Sequence, residues 1–284
     1  MKKSYAIYAA LIILILISGC NESTVVQTPG GVDIVDFSPL PGTVLSGEDV
    51  KLIYEIQNNG DYDADISLYI QQIDDGEWGL TDTDREVLSL AKKQDAVEGG
   101  KEIGFFQLTA PEIDRNTKQT YGAELKMCYP YTTKTVFRYE IINSFEKQKE
   151  IERGKYAKKL PFFKNSISPL LVYSLTKEPL FAGNNKAIIS FKVKNEKRGM
   201  LVDSTTCEQN PDATDFNEFP FDITSADSDI AIDCDEEKIR LVDDSAIFYC
   251  TLTGISGKTS VTLTLESNYC YYQTKEARIV VRGI

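Results

Sequence analysis

Two stretches decide the fold: Gly47-Glu48-Asp49-Val50-Lys51-Leu52-Ile53-Tyr54-Glu55-Ile56-Gln57-Asn58 and Gly183-Asn184-Asn185-Lys186-Ala187-Ile188-Ile189-Ser190-Phe191-Lys192-Val193-Lys194-Asn195. In each, apolar residues alternate with polar ones, Tyr54 matching Phe191 and Ile56 matching Val193, and the first ends in an Asn59-Gly60 turn. A period of two bounded by Gly and Asn is the pattern of a strand with one buried face. The stretches therefore mark equivalent strands in an internal repeat.

A second match lies towards the end of each half. Ala123-Glu124-Leu125-Lys126-Met127-Cys128-Tyr129-Pro130-Tyr131-Thr132 corresponds to Thr264-Leu265-Glu266-Ser267-Asn268-Tyr269-Cys270-Tyr271-Tyr272-Gln273-Thr274, and one last strand follows each, Thr135 to Ile142 and Ala277 to Val281. Gly47 and Gly183 are 136 residues apart and Cys128 and Cys270 are 142 apart, so the second copy carries a small insertion. Strands separated by turns, without alternating helices, predict an all-β chain of two tandem antiparallel sandwiches, residues 32–144 and 166–284. Phe145 to Lys159 is charged and favours helix, with Ser144 as its N-cap, so residues 145–165 read as a helical linker. A basic membrane-surface helix is the alternative there, because Lys155, Lys158 and Lys159 lie near Phe162 and Phe163. Asp84 to Lys93 is expected to form a second brief helix within a loop.

At the N-terminus, Lys2 and Lys3 precede an apolar run from Ala6 to Ile17 that closes on Ser18-Gly19-Cys20. Residues 1–20 resemble a lipoprotein signal, which implies cleavage before Cys20 and a lipid on that cysteine. An uncleaved signal anchor is the other reading; both tether the chain outside the cytoplasm. Residues 21–31 are polar, with Ser, Thr, Pro and Gly, and form a short tether.

The remainder resembles the immunoglobulin-like and CARDB-like modules of exported archaeal envelope proteins. The resemblance is carried by Gly47 to Asn58 with its Asn-Gly turn, Ala64 to Leu68, Ser168 to Asn195, and the Cys-Tyr-x-x-Thr strand of both halves. It covers most of residues 32–284 and implies a fold rather than a chemistry.

Export makes disulfides the expected state of the remaining cysteines. Four lie in the second half, where three pairings exist. The strands Ile230 to Cys234 and Ala246 to Cys250 are separated by a turn-bearing segment, which favours Cys234–Cys250 and leaves Cys207–Cys270. Each closed loop would stabilise the fold by roughly 3 to 4 kcal/mol. Cys128 is then odd, either a buried free thiol or half of an intermolecular disulfide.

Composition removes more functions than it adds. The chain has 284 residues, no histidine and a formal charge of −12, from 31 basic and 43 acidic side chains. Without histidine there is no Ser-His-Asp or Cys-His catalysis and no mixed Cys/His zinc site. The acidic balance argues against nucleic acid as a partner. No enzyme activity and no cofactor are expected.

Three motif echoes fail on context. Asp244 to Cys250 is similar to the penultimate strand of antibody variable domains, but two further strands follow it. Gly257-Lys258-Thr259 lacks the first glycine of a phosphate-binding loop and reads as a hairpin turn. Asp61, Asp63 and Asp65 lack the glycine and bidentate glutamate of a calcium loop. Asp74, Asp75, Asp82 and Asp84 remain as weak metal candidates, as does the Asp227 to Glu237 region. Tyr129, Tyr131, Tyr271 and Tyr272 are candidates for an interaction surface, since alternation should turn some of them outwards. The expected function is display of immunoglobulin-like domains on a membrane anchor for a protein or glycan partner, with self-association as a further expectation. The alternatives are an assembly subunit that donates Thr24 to Phe37 as a strand to a neighbour, and, more weakly, a solute-binding lipoprotein.

Overall fold

A computed structural model of the protein describes residues 29–79, 85–94, 97–154, 158–183, 185–197, 199–203, 207 and 216–284. Residues 1–20, expected to be a signal segment ending at Cys20, and the metal candidates Asp82 and Asp84, lie outside these residues. The fold is all-β. The first half contains β1 (Val32–Leu40), β2 (Thr43–Leu45), β3 (Asp49–Asn58), β4 (Ala64–Gln71), a one-turn helix α1 (Asp75–Trp78), β5 (Arg85–Leu90), β6 (Lys101–Thr109) and β7 (Lys118–Ile142). After helix α2 (Ser144–Glu152) come β8 (Phe162–Asn165), β9 (Leu170–Ser174), β10 (Leu180–Phe181), β11 (Lys186–Asn195), β12 (Met200–Val202), β13 (Glu218–Pro220) and β14 (Asp222–Ser225). The chain ends with β15 (Ala231–Cys234), β16 (Lys238–Arg240), β17 (Ser245–Thr253) and β18 (Ser260–Arg282).

The two stretches that define the repeat are the central strands of two small facing sheets, β1-β3-β6 and β15-β17-β11-β9. Both cover one 11-stranded sheet. Val50, Leu52, Tyr54 and Ile56 of β3, and Ala187, Ile189, Phe191 and Val193 of β11, are buried, while the residues between them are exposed or half-buried. Alternation thus fixes which face of each strand enters the core. Each facing sheet is drawn from one side of the 145–165 segment; the large sheet is drawn from both.

That sharing rests on β7 and β18. The sequence suggested a separate last strand in each half, but Thr135–Ile142 continues β7 and Ala277–Val281 continues β18 without a break. No Gly, Asp or Asn interrupts Met127 to Phe137, and the single proline, Pro130, is tolerated within the run. The two strands pair antiparallel from Ser260↔Glu140 to Arg282↔Lys118, with Tyr271 directly opposite Tyr129. Tyr129 and Tyr271 are also equivalent in the repeat, so a pseudo-twofold axis passes between them. Each half lends the end of its last strand to the other: β2 pairs in parallel with β18 and β10 in parallel with β7, a symmetric exchange. Odd-numbered residues of β7 from Ala123 to Ile141 are all buried, so one register serves both sandwiches.

Several local expectations are corrected. The segment expected as a helix at Asp84 to Lys93 is β5, because Ala64 to Tyr69 of β4 offers it an edge whose ladder outweighs its helical propensity. Helix α2 is capped by Asn143 rather than Ser144: the Asn143 Oδ1 accepts from the Glu146 N–H and the Glu146 carboxylate accepts from the Asn143 N–H. It stops at Glu152, before Gly154 at φ 66°. Phe162 and Phe163 belong to β8, which pairs with β7, and not to a membrane-surface helix. Gly257-Lys258-Thr259 is no hairpin; it carries the chain from β17 in a facing sheet to β18 in the large one. The proposed strand donor is already used from Val32 onwards, since β1 pairs with β3 from Val32↔Asn58 to Leu40↔Lys51.

Candidate functional site

The tyrosines expected at the surface lie inside. Tyr129, Tyr131, Tyr271 and Tyr272 are 0 %, 4 %, 0 % and 1 % exposed. Tyr129, Tyr131 and Tyr271 are odd-numbered and therefore face the small sheets, where they fill the junction between the two halves. Tyr129 and Tyr271 rings lie 5.8 Å apart and Tyr131 stands edge-on to Tyr129 at 5.7 Å. Their hydroxyls bind backbone from both sides. Tyr129 accepts from the Val32 N–H at 3.0 Å, Tyr131 donates to the Ile167 carbonyl at 2.9 Å, and Tyr271 accepts from the Gly199 N–H at 2.8 Å while donating to the Asn195 Oδ1 at 2.9 Å. Burial holds all three hydroxyls well above the usual tyrosine range. An ion pair between Lys197 and Asp33 at 2.5 Å closes the same junction.

Tyr272 faces the other way yet is covered as well. With Tyr69, Cys128, Val202 and Cys270 it forms a second apolar cluster on the outer face of the large sheet, against which Met200, Cys207 and Phe216 pack. The disulfides are Cys207–Cys270 and Cys234–Cys250, the latter joining directly paired residues of β15 and β17. Cys128 is a buried free thiol. Burial pushes its pKa up to about 11, opposed by the charges of Lys126 and Arg85 and by a hydrogen bond from Tyr69. A protonated, enclosed thiol is a poor nucleophile.

Asp74, Asp61, Asp63, Asp65 and Asp227 serve local structure. Asp74 caps α1, its Oδ1 accepting from the N–H groups of Gly76 and Glu77 at 2.9 and 3.1 Å. Asp61 accepts from the Ile167 N–H, Asp63 from the Lys92 N–H and Asp65 from the Ser89 hydroxyl. Asp227 is ion-paired with Lys258. Among the described residues no group of three His, Cys, Asp or Glu side chains could hold a metal ion.

What remains open is a groove of 710 Å³ on the outer face of the large sheet, lined by Arg138, Glu140, Lys159, Phe162, Glu178 and a run of hydroxyls, Thr259, Ser260 and Thr262. Its floor follows from strand register. Phe162 on β8 is paired with Arg138 on β7, which is paired with Thr262 on β18; one row along, Glu140 is paired with Ser260. All are even-numbered positions on strands whose odd-numbered residues enter the core. The aromatic ring, guanidinium and hydroxyl therefore lie side by side at strand spacing, spanning roughly 10 Å. Phe162 is 66 % exposed.

One end of the groove is fixed by charge. Glu178 is 4 % exposed, yet its carboxylate accepts from the Glu140 N–H at 2.8 Å and meets Lys159 at 3.5 Å. Lys159 also reaches Glu140 at 3.4 Å, and these two carboxylates, Glu140 first, hold its ammonium above the ordinary lysine value. Among the described residues nothing pairs with the Arg138 guanidinium. Both edges of β7 are occupied here, by β18 on one side and by β8, Glu178 and β10 on the other. A ligand lying over β7 must accordingly be met by side chains, because neither edge of that strand is free to extend.

The sequence singles out Lys159 and Phe162 only for a membrane-surface helix and Thr259 only for a discarded phosphate-loop echo, and marks none of the other lining residues. The alternation of Val136 to Ile141 shows that Arg138 and Glu140 face outwards, but which strand lies beside them depends on a pairing of residues more than a hundred positions apart. The pseudo-equivalents of Val136, Arg138 and Glu140 are Arg278, Val280 and Arg282, a different set of groups. The groove is thus particular to the second sandwich.

The chain matches no protein-family model and no curated protein. Solved structures similar to it include the envelope protein VP37 of White Spot Syndrome Virus, 9% identical with a TM-score of 0.29 over 50% of this chain and 97% of that one. A protein of unknown function from Porphyromonas gingivalis W83 is 8% identical with a TM-score of 0.18 over 80% of this chain and 84% of the other. Red sea bream transglutaminase is 12% identical with a TM-score of 0.21 over 90% of this chain and 31% of its own. Likeness at this level carries no argument about function.

Proposed function

We propose that the chain is a non-enzymatic, extracytoplasmic interaction protein, held at a membrane through Cys20, that presents the groove between β8, β7 and β18 to a partner. The observation that carries this reading is the groove itself: an exposed aromatic ring beside a row of hydroxyls and a guanidinium that has no partner among the described residues. The two disulfides belong to an oxidising compartment, which supports the location. Among the described residues no helix is long and apolar enough to cross a membrane; the attachment is assigned to residues 1–20 on their basic start, apolar run and Ser18-Gly19-Cys20 end. The lack of histidine and the use of the acidic side chains in caps and ion pairs support a binding role over catalysis.

Mass spectrometry of the membrane-extracted protein tests the anchor. A lipid adduct on an N-terminal Cys20 is expected, and Cys20→Ser should move the chain from the membrane to the soluble fraction. An unmodified Cys20 with unchanged fractionation of the variant would overturn the lipid anchor.

A further inference from the structure

We infer that the groove takes an uncharged, hydroxyl-rich glycan chain; this deepens the display reading above and rests on it. Three observations carry the assignment. The lining offers donors at Arg138 and Lys159, an exposed acceptor at Glu140, and hydroxyls at Thr259, Ser260 and Thr262 that can do either, while the buried Glu178 is already held by the Glu140 N–H and Lys159. A sugar ring, whose every hydroxyl both donates and accepts, satisfies such a mixed set without leaving a group unpaired. The exposed Phe162 ring supplies a flat apolar platform beside them, suited to the C–H face of a pyranose. The row Phe162, Arg138, Thr262 spans roughly two strand spacings, so a chain of sugars laid across the strands would meet stacking and polar contacts in succession.

Charge decides against the other ligands of similar size. Two carboxylates and two cations leave the groove near neutrality within a chain of −12. An acidic polymer would meet Glu140 and Glu178 as well as the field of the whole protein, and a basic peptide would meet Arg138 and Lys159. A peptide of either sign laid over β7 gains no backbone ladder from that strand, because both its edges are taken. The volume of 710 Å³ is within the range of small-ligand sites, but the groove is open along the sheet, which fits a segment of a polymer rather than an enclosed metabolite.

The test is calorimetric titration of the full chain with cellohexaose, mannohexaose and chitohexaose as neutral probes, and with hexagalacturonate and oligolysine as charged ones. Binding of at least one neutral probe is expected, with little dependence on salt. Phe162→Ala and Arg138→Gln should each weaken it roughly tenfold or more, while Phe162→Tyr retains it. Lys118→Ala, at the pseudo-equivalent of Ser260 in the other sandwich, should leave it unchanged. Both groove side chains are exposed, so the variants should melt like the parent, and a binding loss in a variant with unchanged melting is attributable to the groove. The inference is overturned if no neutral probe binds, if neither groove substitution weakens binding, or if a charged probe binds more tightly than every neutral one. In those cases a lipid found on Cys20 would still sustain surface display, so the two readings fail separately.

Discussion

At the scale of single residues, the junction tyrosines and Cys128 show two ways of burying a polar group. The junction tyrosines find backbone partners for their hydroxyls, which is why they can be buried at modest cost. Cys128 is different: it fills space as a small apolar group, and burial favours its protonated form. A rise from 9.0 to about 11 is worth about 3 kcal/mol between the two protonation states. Because the folded thiol titrates above the unfolded one, this stability is present in full below pH 9 and is lost as pH climbs through about 11. We expect urea denaturation midpoints to fall across that interval and to fall less in Cys128→Ala; equal slopes for both proteins would show that the thiol contributes nothing. The same burial predicts no labelling of the native protein by iodoacetamide at pH 8 and one labelled cysteine after unfolding without reductant, with Cys20 lipidated. The odd thiol was legible in the sequence by counting. Its lack of access was not, because that depends on Tyr69, Val202 and Phe216 arriving from three other segments.

At the scale of elements, legibility tracked length. The ten-residue alternations of β3 and β11 announce themselves, whereas β8 has four residues, follows a proline and sits in a charged segment, so its periodicity has no room to show. Its place is set by tertiary contacts. Asn165 accepts from the Thr135 hydroxyl and from the Val172 N–H, and donates to the Val172 carbonyl at 3.1 Å, tying β7, β8 and β9 together. Phe163, the inward neighbour of Phe162, packs its ring 5.9 Å from Phe137 and 6.2 Å from Tyr173. Replacing Asn165 by Ala orphans a buried hydroxyl and a buried N–H, at a cost of about 2 to 3 kcal/mol. Because β8 carries Phe162, we also expect Asn165→Ala to weaken ligand binding at the groove without touching the ligand. Thermal melting together with the neutral-probe titration checks both effects; a destabilised variant with unchanged affinity would show that β8 does not position Phe162. The groove escaped the sequence for the same reason as β8: outward positions can be read from a strand, but their neighbours require the register.

At the scale of the whole molecule, the internal repeat is a pseudo-dimer rather than a string of beads. An isologous pair places equivalent residues against each other on its axis, and Tyr129 against Tyr271 is that contact within a single chain. The sequence revealed the repeat but not the exchange, since nothing in Thr132 to Thr135 says whether a strand stops or runs on into the neighbouring sandwich. The exchange has a consequence for folding. Residues 29–143 alone would keep β1 to β7 but lose Tyr271–Arg282, which covers the first sandwich, and would expose Phe137, Tyr139 and Ile141 on the unpaired end of β7. Those side chains are 0 %, 0 % and 4 % exposed in the intact chain, and uncovering three such groups costs roughly 1.5 to 3 kcal/mol each, a large share of an ordinary domain's stability of about 5 to 15 kcal/mol. We therefore expect no folded monomer from this half. It should aggregate or form a twofold dimer in which a second β7 takes the place of β18, and mixing it with residues 158–284 during refolding should recover a one-to-one complex. Sedimentation velocity distinguishes these outcomes: a monodisperse monomer of residues 29–143 that melts cooperatively would mean that the strand exchange decorates two self-sufficient sandwiches instead of holding them together.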